Sequence, residues 1–187
     1  MNGNEKGLSL IEVLVSLVIL VIGLIGVFNL HIISKQGSFE AYQQTQAAFL
    51  AHDIINRMKT NSGNIISYSG NYPQDAPGGG NTCESLNSIC SAQESVEADL
   101  FLWSQKLAGN EEVDGEQFIG GLDQAMGCIT VNGNSVSVAI SWKSIRESRT
   151  SIENAGQHYS GAWSCSNEGV DGNRKRLYVV NTIINGV

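Results

Sequence analysis

The sequence contains only two prolines, Pro73 and Pro77. Nothing before Pro73 removes a backbone N–H or forces a kink, so a helix begun near the N-terminus is free to continue. Charge is missing from one long stretch as well. No Asp, Glu, Lys or Arg occurs among the 22 residues from Val13 to Ser34. Cations are scarce throughout, with 11 Lys and Arg against 18 Asp and Glu, and the net charge is −7. An acidic chain does not attract phosphate backbones, and the one basic run, Arg174-Lys175-Arg176, is too short for a nucleic-acid stripe. Nucleic acid is therefore not an expected partner. No C-x-x-C, G-x-S-x-G, P-loop or H-E-x-x-H pattern is present. His31, His52 and His158 are scattered, and His52 and Asp53, neighbours on a helix, point to different faces. Glu168, Asp171 and Asn173 match no defined calcium-loop spacing. No enzymatic activity, cofactor or metal centre is expected.

The uncharged run is the first positive feature. A helix of about 20 apolar residues spans the hydrocarbon core of a bilayer, and this run is long enough. A cleaved secretory signal is the alternative, and three features oppose it. The only leader cation, Lys6, is offset by Glu5; Asn29-Leu30-His31-Ile32 stands where a small-residue cleavage site belongs; and Glu12 interrupts the apolar character. Apolar residues then continue at spacings of three, four and seven through Phe28, Ile32, Phe39, Tyr42, Phe49, Leu50, Ile54 and Met58. That periodicity predicts an amphipathic helix facing a core. One helix from about Leu8 to about Lys59 is expected, closed by Asn61-Ser62-Gly63. Gly23 and Gly26 are costly in an exposed helix interior, and either permit close helix approach or soften the segment.

Gly7-Leu8-Ser9-Leu10-Ile11-Glu12-Val13 resembles the prepilin processing signature of type IV pilins and type II secretion pseudopilins. The resemblance implies cleavage between Gly7 and Leu8 and methylation of the new Leu8 amine by the same inner-membrane peptidase. Leu8 stands where the family usually has Phe. After cleavage, the Leu8 ammonium lies four residues before Glu12, on one helical face. Glu12 can then pair with its own N-terminus or with that of a neighbouring subunit. Over roughly residues 6–35 the sequence is most similar to PilV-type minor pilins of type IV pili.

The cysteines, Cys83, Cys90, Cys128 and Cys165, all follow the apolar run. An even count in a loop-rich exported region reads as two disulfides. Three pairings are possible, and the sequence alone does not choose among them. The short separation favours Cys83–Cys90, which leaves Cys128–Cys165. Residues 64–82 read as a polar surface loop. Ser91-Ala92-Gln93-Glu94 has capping-box spacing and opens a short amphipathic helix through Ala92, Val96, Leu100, Trp103 and Leu107, ended by Gly109. Strands are expected at 126–131 and 136–142 around Asn132-Gly133-Asn134, and again at 177–184. Residues 144–175 read as a long polar connection.

The expected fold class is α+β: a long N-terminal helix packed on a small antiparallel sheet, in a pilin-like roll. The expected division is a leader at 1–7, a transmembrane or filament-core half-helix at 8–35, and a periplasmic head at 36–187. The resemblance implies a minor pilin that primes assembly or sits at a pilus tip, supporting adhesion and twitching motility. Its implied partners are other minor pilins, the major pilin, the prepilin peptidase and methyltransferase, and the inner membrane. A type II secretion pseudopilin, or a tethered subunit binding a ligand, surface or DNA, is the alternative.

Overall fold

The computed structural model describes residues 9–78, 83, 89–110, 113–115, 117–118, 121–147, 165 and 173–185. One helix, α1, runs from Leu10 to Thr60. Proline is absent from it, and Glu12 lies in its first turn while Arg57 and Lys59 lie in its last, each suited to the helix dipole. By contact the chain divides into two compact units, residues 1–39 and 40–187.

In the first unit, Ser9 to Lys35 are all exposed. Leu10, Ile11 and Phe28 present 78%, 69% and 64% of their surface. A helix apolar all round with nothing packed on it needs a non-aqueous environment, and α1 is long and apolar enough to cross a membrane.

In the second unit, α1 buries Gln43, Ala47, Leu50, Ala51, Ile54, Ile55 and Met58. This corrects the expected stripe. Leu50, Ile54 and Met58 are core, but Phe39, Tyr42 and Phe49 remain 43%, 50% and 59% exposed. Phe28 and Ile32 are exposed too. The buried face runs through Ala47 and Ala51, whose small side chains allow close approach. A stripe drawn through the largest side chains falls on another side of the helix.

After α1, a 3-10 helix spans Ser62–Tyr68 and a short strand, β1, spans Gly70–Tyr72. The expected surface loop at 64–82 is therefore wrong over its first part. Tyr68 and Tyr72 are buried at 0% and 2% exposure, and their hydrophobic rings anchor the segment despite its polar neighbours. The second helix, α2, spans Ala92–Ala108. Its capping box is complete: Ser91 Oγ accepts from the Glu94 N–H, and Glu94 accepts from the Ser91 N–H. Gly109 ends it at φ 76°, a left-handed position that suits glycine.

A two-residue pair of strands, β2 (Val113–Asp114) and β3 (Gln117–Phe118), was not expected from the sequence. The main sheet is completed by β4 (Met126–Asn132), β5 (Ser135–Lys143) and β6 (Lys175–Ile183). It is antiparallel, in the order β1-β4-β5-β6. The β4–β5 hairpin closes at Asn132 and Ser135, with Gly133 at φ 58° in the turn.

The sheet has two covered faces. Val136, Val138, Ile140 and Trp142 join the core made with α1, Trp103 of α2 and the tyrosines. Met126, Cys128, Ala139 and Cys165 form a smaller cluster with Leu177 and Val179. The period of two along β5 divides these sets. The cysteines pair as Cys83–Cys90 and Cys128–Cys165. The second bridge, closing 37 residues, fixes Cys165 to β4. Of the expected long connection, Ser144 to Glu147, Cys165, Asn173 and Arg174 are described, while β6 takes Lys175. The remainder, with Glu168 and Asp171, lies outside the described residues.

The buried tyrosines set a response to alkali. Tyr68 donates to Asp99 Oδ2 at 2.7 Å, and Tyr72 donates to the Tyr68 carbonyl at 3.0 Å. Burial raises both hydroxyls above their ordinary value, and Asp99 and Asp75 respectively add to this; Tyr72 is pushed up to about 12. The unfolded chain ionises near 10. Between those values it holds fewer protons than the folded chain, so stability falls as pH rises. Urea unfolding midpoints of the detergent-solubilised chain should therefore be flat just below pH 10 and decline toward about 12. Tyr72→Phe should lessen that decline.

Candidate assembly site

The N-terminal site is built by the start of α1. The Glu12 N–H donates to the Ser9 carbonyl at 2.9 Å, and Val13 donates to the same carbonyl at 3.3 Å. Ser16 Oγ returns a hydrogen bond to the Glu12 carbonyl at 2.7 Å. Ser9 thus starts the helix, and Glu12 stands in its first turn with its side chain exposed. Among the described residues, no cation pairs with it. Gly7 and Leu8, the expected cleavage and methylation positions, lie outside the described residues. What the structure places is the acid: a solitary carboxylate at the head of an apolar helix.

Gly23 and Gly26 lie further along. A Cβ built at either would meet nothing within 4 Å. Within one chain, then, neither glycine is needed for close packing. The same atoms remain open to a neighbouring helix.

The head contributes a clasp that holds the second part of α1. The Trp103 indole N–H donates to the Leu50 carbonyl at 2.9 Å, and Tyr72 meets the Trp103 ring edge-on at 5.6 Å. Gly127 passes beneath this ring, and a Cβ there would collide with the Trp103 indole. Beside it, Arg57 bridges Asp99 at 2.9 Å and Asp53 at 3.3 Å, while Lys106 reaches Asp53 at 3.5 Å. Burial opposes the charge on Arg57, but the two carboxylates outweigh it and raise its pKa. These ties join α1 to α2 and the 3-10 helix. The Trp103 bond and the Arg57 bridge had no sequence signal, because their partners are 53 and 42 residues apart.

A second polar cluster forms where β5 and β6 meet the start of the head. Ser144 donates to Glu40 Oε1 at 2.9 Å, and Arg176 and Arg146 approach the same carboxylate at 3.6 and 3.9 Å. Gln43, 3% exposed, donates weakly to the Lys143 carbonyl at 3.5 Å. Its Oε1 accepts from no described residue. Sequence reasoning missed Glu40 and Gln43 because polar residues on an amphipathic helix normally read as its solvent face. Among the described residues, no group of three His, Cys, Asp or Glu could hold a metal ion.

Residues 2–28 match the family model of the prokaryotic N-terminal methylation motif. No significant match joins the chain to a curated protein or to a solved structure. The matched region takes in Glu12 and most of the exposed apolar helix, and it carries no information that singles out PilV-type proteins. The chain thus carries the prokaryotic N-terminal methylation motif, a prepilin-type signature, over the start of a long apolar helix, and its overall fold is α+β, as in pilin-like proteins.

Proposed function

We propose that the chain is a minor pilin of a type IV pilus. The observation that carries the reading is Glu12 within the methylation motif, directly before the 22 uncharged and exposed residues from Val13 to Ser34, with no cation paired to it among the described residues. On this reading residues 1–7 are a cytoplasmic leader, residues 8–35 form the membrane and filament-core half-helix, and residues 36–187 form a periplasmic head. The peptidase cuts between Gly7 and Leu8 and methylates Leu8. The new ammonium and Glu12 then sit one helical turn apart, and either can serve a neighbouring subunit. The protein acts by packing with other minor pilins and the major pilin, priming assembly or capping the tip, in support of adhesion and twitching.

A pseudopilin of type II secretion would share the same motif and helix. Co-purification from crosslinked cells separates the two: pilus subunits should be recovered, rather than components of a secretion system. Processing is tested by the intact mass of protein extracted from membranes. The expected species lacks residues 1–7, carries one extra methyl group, and has lost four thiol hydrogens to its two bridges. A full-length, unmethylated mass in cells that contain the peptidase would overturn the reading.

A further inference from the structure

A sheet edge is a row of unpaired backbone groups, and it is either guarded or open to another strand. The main sheet has two edges, β1 and β6. β1 is guarded by its length of three residues and by Pro73, which follows it directly. β6 is nine residues long and has no proline, and its pairing to β5 runs from Lys175 to Ile183 without a bulge. Its two charges, Lys175 and Arg176, lie at its start, and Leu177 to Ile183 are uncharged. Every residue of β6 stays at least partly exposed, while Val138, Ala139, Ile140 and Ser141 of β5 beside it are buried.

Bonds at the two ends fix which backbone groups face outward. The Ser144 N–H donates to the Arg174 carbonyl at 2.7 Å, and the Ile184 N–H donates to the Asn134 carbonyl at 2.9 Å. Antiparallel pairs alternate between bonded and non-bonded, so the even-numbered residues of β6 turn their backbone groups toward β5. Lys143, which stands opposite Lys175, accordingly sends its N–H the other way, to the Asp123 carbonyl at 2.8 Å. Lys175, Leu177, Val179, Asn181 and Ile183 therefore point their N–H and C=O groups off the edge. Among the described residues, only the Lys175 carbonyl of this set meets a donor, Arg176 Nη1 at 3.5 Å.

The strand is complementary to itself. Laid antiparallel on a second copy and centred on Val179, it pairs along its whole length, and each outward residue faces an outward residue. Val179 meets Val179, Leu177 meets Asn181, and Lys175 meets Ile183. On the opposite face Tyr178 meets Val180 and Arg176 meets Thr182. No cation opposes a cation, and aromatic with β-branched is a favourable cross-strand pair. The Lys175 stem can cover Ile183, which is 70% exposed. A parallel pair in register would instead set Lys175 beside Lys175 and Arg176 beside Arg176. A slip of one residue would face outward groups with inward ones.

We infer that the free edge of β6 binds the β6 edge of a second copy of the chain, antiparallel about Val179, joining two heads through one continuous sheet.

The test uses the full chain in detergent micelles. Sedimentation equilibrium should show monomer and dimer in exchange. Asn181→Pro removes an outward N–H and spares the bonds to β5, as proline on an edge strand can; it should weaken the dimer at least tenfold. Ile183→Lys, at an exposed position, builds two like-charge pairs into the dimer and should weaken it at least fivefold. Ile183→Glu places a carboxylate opposite Lys175 and should hold the dimer at least as tightly as the parent. These opposed responses decide the matter even if Asn181→Pro unfolds the head. Residue-resolved amide exchange gives a second reading. The Leu177, Val179 and Asn181 amides should gain protection as concentration rises, with Tyr178 and Val180 protected throughout. A chain that stays monomeric at every concentration would overturn the inference, and so would a dimer indifferent to all three variants. Outward amides protected even at high dilution would overturn it too, because the edge would then be covered within one chain.

Discussion

Alanine in place of Glu12 should leave the protein at normal abundance in the membrane while its recovery in sheared pili falls at least tenfold. A charged side chain deep in hydrocarbon costs on the order of 3 kcal/mol on insertion scales. A neighbouring ammonium at the right axial offset removes that cost, and only a subunit aligned in a filament supplies one reliably. An advantage of about 3 kcal/mol corresponds to roughly a hundredfold bias toward the paired state. Glu12→Ala removes the reason for pairing and lowers the cost of staying in lipid, so both effects act against assembly. Glu12→Asp keeps the charge on a shorter side chain and should recover part of the incorporation. Quantitative immunoblots of membrane and sheared-pilus fractions measure both variants. Incorporation of Glu12→Ala at the normal rate would show that the carboxylate sets neither register nor release from the membrane. The local structure makes the substitution a clean one. The Ser16 and Val13 hydrogen bonds in this turn use backbone carbonyls, not the Glu12 carboxylate, so the helix start should survive.

The features legible in the sequence were those with a local cause. The 22 uncharged positions, the capping box at Ser91 and Glu94, and the Asn132-Gly133-Asn134 turn each act over a few residues, and each stands where it was expected. The short loop from Cys83 to Cys90 could be favoured for the same reason. What escaped were relations between distant residues. Ala47 and Ala51 mark the buried face of α1, but alanine carries little hydrophobic signal, and the eye follows Phe39, Tyr42 and Phe49 instead. Strand β1 was hidden because three residues are too few for a period to register, and its pairing to β4 lies 55 to 59 positions away. Arg174-Lys175-Arg176 read as a trivial basic run. Only the register that sets Lys175 against Lys143 makes it part of a larger charged end. At the candidate site, the sequence named Glu12, and the structure adds that no cation pairs with it among the described residues. The packing that would explain Gly23 and Gly26 is not inside one chain.

The head should depend on Trp103 more than on any other single side chain. Trp103 is fully buried, and three elements converge on it: α1 through the Leu50 carbonyl, β1 through the Tyr72 ring and β4 through Gly127. The Gly127 backbone admits the indole only because it has no Cβ, and glycine brings no side chain of its own to fill the space that truncation would leave. Trp103→Ala should therefore cost about 3–5 kcal/mol, the range for deleting a buried aromatic. Domains of this kind have about 5–15 kcal/mol in total, so much of the head should be unfolded at elevated temperature. Trp103→Phe separates shape from polarity. It keeps a ring against Tyr72 but loses the indole N–H, and a hydrogen bond of this sort contributes about 1 kcal/mol net. Its cost should be clearly smaller than that of alanine, even with the residual cavity added. Urea unfolding followed by far-ultraviolet circular dichroism measures both variants. A loss below about 1 kcal/mol for Trp103→Ala, against the several expected of a buried aromatic, would mean that the clasp on α1 is not what holds the helix to the sheet. In that case the buried face of α1 through Ala47, Leu50, Ala51 and Ile54, packed in one core with Val136, Val138 and Ile140 of β5, would carry the connection, because the Arg57 bridge reaches only α2 and is a partly exposed ion pair.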